Sequence, residues 1–383
     1  MSEIFTFKKL YMAYSDCRET KRKTINALKF EYNLERNLFQ LQRELEAKRY
    51  KPGRSICFVV EDPSPREIFA ASFKDRIVHH LLIREVEAVG EKCFIFDTFA
   101  CRKEKGTHLA VKRLKRFVRK AMENSSRPAY YLQLDISGFF MAIDRNILYF
   151  LFEKLVLKHN KSQQWKDDIL WLAKIIIFHK PTDNYIIRGN PTLFDLIPPR
   201  KSLFNSPFGK GMPIGNYSSQ FFANIFLNEL DQFVKRELKC KYYVRYVDDF
   251  ILLDINEERL KDFGDKIGVF LKNNLDLKLN HNKTKLQIVS KGIDFLGYFI
   301  MPYYILVRQR VIRRLKDKLN GGNHADLKKI TAMINSYYGH FRHAFSYNLR
   351  KDIYNNHLGT LQRIFLPKAN YFCLRYVKKL RTA

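Results

Sequence analysis

The sequence predicts an α+β fold in which an antiparallel sheet is flanked by helices. Short apolar runs bounded by turn residues, at 130–140 and 243–253, indicate buried strands. Apolar residues at spacings of three and four indicate helices near both ends of the chain. The chain has 383 residues and is 46% hydrophobic, so it can bury a large core and form two or three subdomains.

Residues 1–50 are predicted to form a helical N-terminal extension. Phe30, Leu34, Leu38, Leu41 and Leu45 form one apolar stripe with charged residues around it. The segment KPGRS at 51–55 ends this helical stretch.

The middle of the chain alternates between strands, turns and helices. After residue 51 the sequence predicts a strand, a proline-bounded turn, a short strand and a helix from about residue 75. A turn at Gly106 enters a strongly basic helix, and another helix is predicted at 160–180. Several prolines at 181–211 predict a loop-rich insertion, and the chain after about residue 302 is helical and basic.

Charge composition indicates a polyanionic partner. Lys and Arg number 69 against 39 Asp and Glu, which gives a net charge of +30. Such an excess repels itself, so nucleic acid is the leading partner and an acidic membrane surface the second. No apolar run approaches the roughly 18 residues of a membrane-spanning helix, and the N-terminus lacks the apolar core of a signal peptide. We therefore expect a cytoplasmic protein without a membrane partner.

The cysteines give no indication of a zinc site or a catalytic thiol. Six are scattered along the chain, and no pair has the spacing of a zinc-binding motif. We expect reduced, structural thiols.

Two adjacent carboxylates, Asp248 and Asp249, interrupt the apolar strand YVRYVDDFILL. Either one acid faces solvent while the other caps a turn, or the pair binds a divalent metal ion, since hard cations take oxygen ligands. A metal site predicts a further carboxylate on a neighbouring strand, and Asp135 ends the apolar run at 130–135. If the two strands pair, Asp135 meets Asp248. Two ions about 4 Å apart can then support phosphoryl transfer, with a nucleic acid as substrate.

The strings around these acids resemble reverse transcriptases. YVDD at 246–249 and LDISGFF at 134–140 are similar to the two acidic motifs of that family. Other segments follow in family order: PREIFAASFKDRIVHHLL (65–82), DTFACRKEKGTHLAV (97–111), GMPIGNYSSQFFANIFLNELD (211–231), LKLNHNKTKL (277–286) and GIDFLGYFI (292–300). The resemblance implies a right-hand polymerase with fingers at 51–134, a palm at 135–300 that contains the 181–211 insertion, and a helical thumb at 301–383.

The resemblance also implies roles for the acids. Asp135 and Asp248 would ligate two Mg²⁺ ions, which Mn²⁺ could replace. Asp249 would assist, or would act only as a solvated neighbour, and the main-chain carbonyl of Ile136 would add a ligand. Template RNA and the cDNA or primer would be the partners.

The nucleotide site is implied by the same resemblance. Arg66 matches the fingers arginine that holds the incoming triphosphate, a task suited to the forked guanidinium. Phe140 matches the aromatic steric gate against a ribose 2′-hydroxyl. The alternative for such a residue, a core phenylalanine, fits Phe139 better.

Lysines and a hairpin complete the implied site. Lys74 would contact the nucleotide or lie on a solvated surface. Lys283, or its rival Lys285, would lie near the pyrophosphate.

Phe295, Leu296, Gly297 and Tyr298 match the primer grip, where Gly297 lets the backbone approach the primer closely. The basic runs at 112–120 and 308–318 would hold template and primer phosphates, although such runs are usually solvated faces.

One position departs from most of the family. Where a glutamine usually precedes the motif glycine, Ile214 precedes Gly215 in MPIGNYSSQ. A glutamine can hydrogen-bond the incoming nucleotide, whereas isoleucine offers only apolar contact, so lowered fidelity is expected. The alternative is that Ile214 simply packs the pocket.

The string IGNYSSQ resembles the reverse transcriptases of diversity-generating retroelements, as does INSYYGHFRHAFSY at 334–347. That likeness implies copying of a template-repeat RNA with errors concentrated at adenines, which diversifies a target gene by mutagenic retrohoming. It also implies a small, basic, pentameric accessory protein as a partner. The alternatives are a retron or phage-defence reverse transcriptase of normal fidelity, and a catalytically idle RNA-binding protein with a polymerase fold.

Overall fold

The computed structural model describes residues 2–19, 21–62, 64–321 and 326–377. Residues 322–325 and 378–383 of the predicted thumb lie outside this part of the chain. The α-helices are α1 (Phe7–Glu19), α2 (Ile25–Glu31), α3 (Leu34–Glu46), α4 (Phe73–Cys93), α5 (Thr107–Ala121), α6 (Phe139–Ala142), α7 (Arg145–Leu157), α8 (Gln163–Phe178), α9 (Tyr217–Gln232), α10 (Glu257–Leu275), α11 (Gln309–Asn320), α12 (Leu327–Phe341) and α13 (Tyr347–Asp352).

The strands form four separate sheets. They are β1 (Ser55–Val60), β2 (Arg66–Ala70), β3 (Tyr130–Asp135), β4 (Tyr185–Ile187), β5 (Tyr242–Tyr246), β6 (Asp249–Asp254), β7 (Lys285–Ile288), β8 (Ile293–Phe295), β9 (Tyr298–Ile300), β10 (Ile305–Val307), β11 (Phe365–Lys368) and β12 (Cys373–Tyr376).

The central sheet is antiparallel, in the order β5-β6-β3-β7. Leu134 and Leu252 point to one core, which α9 and α10 cover, and Tyr131 and Ile251 point to the other, which α5 covers. Because helices bury both faces, the strands are mostly apolar, and the sequence shows apolar runs, broken by Gln133 on β3 and Arg245 on β5, instead of strict alternation. The structure has the α+β architecture that the sequence predicted.

The insertion at 181–211 contains a strand that the sequence analysis did not predict. Most of the segment consists of short 3₁₀ turns at prolines, such as Pro191–Leu196 and Pro199–Lys201. Its strand β4 pairs in parallel with β1, which pairs antiparallel with β2. The insertion is therefore fixed to the edge of the sheet that β1 and β2 form.

The N-terminal helices share the main core of the protein. Ile4, Phe5 and Leu10 are fully buried in the same cluster as Leu134 and Phe250 of the central sheet. Helix α1 packs along α4. The predicted extension is helical, and it is part of the packed core.

The chain after residue 301 has its own core, which includes Leu315, Ile334, Tyr338 and Phe341. Helices α11, α12 and α13 build it, and the hairpin of β11 and β12 packs beside α12. The sequence predicted helices here but not this hairpin, because its strands are four residues long and carry Pro367 and basic side chains. Within the described residues, no helix is long and apolar enough to cross a membrane.

A fully buried ion pair links α9 to the central sheet. The guanidinium of Arg245 on β5 donates to both carboxylate oxygens of Asp231 at 2.6 and 2.7 Å. The hydroxyls of Tyr243 and Thr98 donate to the same carboxylate at 2.8 and 2.9 Å. This satisfied network compensates two charges that would otherwise be costly to bury.

We expect Arg245→Met to lower the free energy of unfolding by about 3–5 kcal/mol, because it leaves the Asp231 carboxylate buried without its cation. Chemical denaturation measures the loss. The matched control is Lys266→Met, which breaks an exposed pair with Asp262 and should cost less than about 1 kcal/mol. Equal small losses in both variants would contradict the structural role of the buried pair.

Candidate active site

The three predicted acids meet at one end of the central sheet. Asp135 ends β3, and Asp249 begins β6 directly opposite it in the antiparallel register. Asp248 lies in the tight turn between β5 and β6. Directly opposed residues project to the same face, so strand pairing brings Asp135 and Asp249 together.

The turn that carries Asp248 has a strained backbone. Val247 has a φ of 56°, in the left-handed region that β-branched residues avoid. The buried Arg245 donates a hydrogen bond to the Val247 carbonyl at 2.9 Å. The ion pair with Asp231 thus holds the turn in the conformation that presents the two acids.

The acids lack sufficient compensating charge. Burial raises the pKa of Asp248 to about 6, and the charge of Asp135 adds to the rise. Burial also raises the pKa of Asp249 to about 7, although a hydrogen bond from Gln133 at 3.1 Å opposes the shift. Asp135 is stabilised by Lys283, whose ammonium lies 2.7 Å from one carboxylate oxygen, and by the Asn280 amide at 3.1 Å.

The donor set fits Mg²⁺, although its side chains are not arranged around a common point. In the described part of the chain, no three His, Cys, Asp or Glu side chains are grouped closely enough to hold a metal ion. The available donors are carboxylate oxygens, which Mg²⁺ prefers. Ile136 and Leu279 form an antiparallel β-bridge. Its hydrogen bonds are made by the backbones of the flanking residues Asp135 and Ser137, so the bridge does not use the Ile136 carbonyl. Uncompensated carboxylates of this kind favour cation binding.

Phe140 and Ile214 lie together beside this site. Both are partly buried against a small cluster that includes Phe69 and Met141. The backbone fixes them, because the Phe140 carbonyl accepts from Met212 N–H at 2.8 Å and the Ile214 carbonyl accepts from Phe69 N–H at 2.9 Å. The neighbouring Phe139 is 2% exposed and belongs to the main core. The two side chains are therefore held at fixed positions on one apolar cluster.

Gly215, next to Ile214, can only be glycine without rearrangement. Its φ is 117°, and an added Cβ would lie 2.6 Å from Cγ2 of Ile68 on β2. This close approach fixes the segment around Gly215 against β2.

The predicted cations differ in where they point. Arg66 begins β2, and its charge opposes the burial that raises the pKa of Asp248. Lys74 points to the N-terminal helices, where its ammonium bonds Glu44 at 3.0 Å and lies over the Tyr50 ring. The expected nucleotide contact of Lys74 finds no support in this geometry. Lys285 lies over the Tyr131 ring, so Lys283 is the lysine that contacts the acids.

The predicted primer-grip residues form a tight hairpin between β8 and β9. Leu296 and Gly297 both have positive φ, at 51° and 85°. Phe295 and Tyr298 flank this turn and are fully buried, and Tyr298 donates to the His340 carbonyl of α12 at 2.8 Å. An added Cβ at Gly297 would lie 3.1 Å from the His340 ring. The hairpin therefore contacts α12 of the C-terminal helical region.

A basic groove runs beside this hairpin. It has a volume of about 750 Å³, and α5 supplies most of its lining. The lining residues include Lys112, Lys115, Arg116, Arg119, Lys120 and His343. Such a concentration of cations along one helix suits the phosphates of a nucleic acid.

The sequence analysis missed residues that shape the site. Asp231 and Arg245 lie in apolar segments, where a buried charge is itself a signal of a partner. Glu67 on β2 is 1% exposed, and Lys201 lies in the insertion close to Arg66 and Lys283. Lys201 lies in a proline-rich loop that has no periodic pattern, so the sequence could not place it near the site.

The chain resembles known proteins in sequence and shape. Residues 60–300 match the family described as reverse transcriptase (RNA-dependent DNA polymerase). Protein YkfC of Escherichia coli is 23% identical over 292 residues, which is 67% of this chain and 69% of that protein. Apo telomerase from Candida tropicalis, truncated from its C-terminal domain, shares 13% identity with a TM-score of 0.47 over 70% of this chain. Telomerase from Candida albicans, in complex with a fragment of telomeric RNA, shares 12% with a TM-score of 0.46 over 85%. The chain spans 59% and 61% of these two telomerase chains.

The raised pKa values predict a pH-dependent stability. A carboxyl whose pKa is higher in the folded state stabilises fully below its unfolded pKa, and this contribution is lost as pH rises through the folded value. With a chelator present, Asp248→Asn/Asp249→Asn should therefore gain stability relative to the unsubstituted protein as pH rises from 4 to 8, by up to about 7 kcal/mol at pH 8. Denaturation at each pH measures the difference, in which groups common to both proteins cancel.

Magnesium supplies the control for this experiment. Added Mg²⁺ should stabilise the unsubstituted protein at pH 8 and leave the double variant unchanged. A difference that is flat across pH, with no response to Mg²⁺, would contradict an acidic cation site.

Proposed function

The chain belongs to the reverse transcriptase family of RNA-dependent DNA polymerases, and from this premise we propose that it copies RNA into DNA at Asp135, Asp248 and Asp249. The observation that carries the proposal is the pairing of Asp135 with Asp249 at the end of a buried sheet, beside the hairpin turn of Asp248. Raised carboxyl pKa values and the facing charges of Arg66 and Lys283 support it. An acidic cluster of this kind has no use in a protein that only binds a phosphate backbone.

Two Mg²⁺ ions, or Mn²⁺ in their place, would be held by Asp135 and Asp248 with Asp249 and the Ile136 carbonyl. When bound, they would activate the primer hydroxyl and stabilise the charge on the reacting phosphates. The ammonium of Lys283 now compensates Asp135. A cation bound at Asp135 would free the Lys283 ammonium to pair with the negatively charged pyrophosphate as it leaves the site.

The remaining residues would bind and sort the substrate. Arg66 would hold the triphosphate through its paired N–H donors. Phe140 would fill the space of a ribose 2′-hydroxyl and so favour deoxynucleotides. The hairpin at Leu296 and Gly297 would contact the primer, and the α5 groove would hold the template RNA and its cDNA by their phosphates.

We further propose that copying is of low fidelity, as in diversity-generating retroelements. Ile214 lies with Phe140 in one cluster, so an apolar side chain is presented where a glutamine amide could hydrogen-bond the nucleotide. Shape alone discriminates less than hydrogen bonding does. This proposal includes errors concentrated at adenines and mutagenic retrohoming of a template-repeat RNA. It also includes a small basic pentameric accessory protein and a cytoplasmic location. A retron or phage-defence enzyme of normal fidelity is the competing proposal.

Primer extension on RNA that contains all four bases, followed by sequencing of the cDNA, tests activity and fidelity together. We expect Asp248→Ala to lower the rate at least about 1,000-fold, because charge stabilisation at the reacting phosphates is lost. Ile214→Gln should lower the error frequency about tenfold, most strongly opposite adenine. The matched control Ile214→Leu keeps an apolar side chain and should keep the errors. Accurate cDNA from the unsubstituted enzyme would contradict the low-fidelity proposal and favour the retron or defence alternative.

Sugar selection is tested at Phe140. Phe140→Ala should raise the efficiency of ribonucleotide incorporation relative to deoxynucleotides by roughly 100-fold, because the truncated side chain leaves room for the 2′-hydroxyl. Single-nucleotide kinetics with matched dNTP and NTP pairs measure the ratio. Phe140→Tyr keeps the ring and should keep selectivity. An unchanged ratio in the alanine variant would remove Phe140 from this role.

A further inference from the structure

The insertion at 181–211 is anchored to the sheet of β1 and β2, beside Arg66. Glu67, the next residue on β2, is 1% exposed, and its carboxylate accepts a hydrogen bond from the Ser202 hydroxyl at 2.9 Å. The other carboxylate oxygen accepts from the Leu203 N–H. A buried carboxylate is stable only when hydrogen bonds of this kind compensate it. The short segment at 202–203 is therefore fixed to the strand that carries Arg66.

The same segment also touches the turn that follows Asp135. Gly138 lies three residues beyond Asp135 and has a φ of 56°. An added Cβ at Gly138 would lie 2.7 Å from the carbonyl oxygen of Arg200. The backbone at 199–201 thus packs directly against the turn after the first acid.

Lys201 is held between these two anchors. It is partly buried, and burial together with the charges of Lys283, Arg66 and Arg200 lowers its pKa, while the charge of Asp135 opposes the shift. Within the described part of the chain, its ammonium has no ion-pair partner. Three cationic side chains, those of Arg66, Lys201 and Lys283, act on the acidic site, and mutual repulsion of this kind is relieved by a polyanion.

We propose that Lys201 binds the phosphates of the incoming nucleoside triphosphate, and that Glu67 is a positioning residue that holds the insertion in place for this contact. The inference rests on the proposed polymerase function. An ammonium acts as a compact point charge toward phosphate oxygens, which complements the forked guanidinium of Arg66. The insertion would then supply a substrate contact to the pocket in addition to those of the fingers and palm.

The test compares Lys201→Gln and Lys201→Arg in single-nucleotide primer extension. We expect Lys201→Gln to raise KM for dNTP about tenfold with kcat within about threefold, since a uniformly made phosphate contact is removed. Lys201→Arg should restore most of the loss because the charge remains. Lys210→Gln is the matched control, because Lys210 lies in the same insertion but pairs with Asp276, and its KM should be unchanged.

Glu67→Gln tests the positioning role. It should raise KM in the same direction as Lys201→Gln, and the two changes together should raise KM no further than the larger single change. Fully additive effects would overturn the positioning role of Glu67. A thermal midpoint within a few degrees of the unsubstituted protein would show that the Glu67→Gln variant is folded.

A second measurement tests the role of Lys201 in nucleotide binding independently of catalysis. With a chain-terminated primer, the dNTP concentration that stabilises the ternary complex is measured without catalysis. A tenfold rise of this dNTP concentration in Lys201→Gln would support the triphosphate contact even if the protein formed no product. Absence of product in every variant would count against the polymerase function alone. An unchanged dNTP affinity, or an equal loss of primer–template affinity at any dNTP concentration, would overturn the triphosphate assignment.

Discussion

The buried pair of Asp231 and Arg245 is the interaction on which the acidic site depends. It ties α9 to β5, and its carboxylate also binds Thr98 from the segment before α5. The Arg245 backbone bonds Asp97 and Phe99 on either side of Thr98, and its guanidinium reaches the carbonyl of Val247. Two charges without solvent allow few alternative arrangements. The network therefore fixes the helix, the strand and the strained turn relative to one another.

A second constraint is the balance of charge around the acids. Three carboxylates converge on a partly buried corner, and Arg66, Lys201 and Lys283 approach it from β2, the insertion and the segment before β7. Lys283 pairs with Asp135, whereas Asp248 and Asp249 keep raised pKa values because burial outweighs the cations around them. In the proposed function, this corner would receive cations and phosphates together, which is the combination that nucleotidyl transfer requires.

The short, mostly apolar runs of β3 and β6 allowed two strands that carry acids at their ends to be predicted. The sequence analysis paired Asp135 with Asp248, whereas the register sets Asp135 opposite Asp249 and leaves Asp248 in the turn. Lys201 and Glu67 could not be placed, since a proline-rich loop has no periodicity and its position depends on tertiary contacts. Lys74 was expected to contact the nucleotide because of the motif around it in the sequence. Its place on α4 instead directs its ammonium to Glu44. Family resemblance supplied the roles of Phe140 and Ile214, and the structure brings these two side chains into one cluster.

The shared core of the N-terminal helices and the central sheet constrains folding during synthesis. Ile4 and Phe5 leave the ribosome first, but Phe250 and Leu252 of the same core follow almost 250 residues later. At about 5–20 residues per second, this interval lasts from roughly 12 to 50 seconds. During that time α1 can already pack along α4, but the part of the shared core that the central sheet completes stays exposed. Contacts this distant in sequence also make folding slow once the chain is complete.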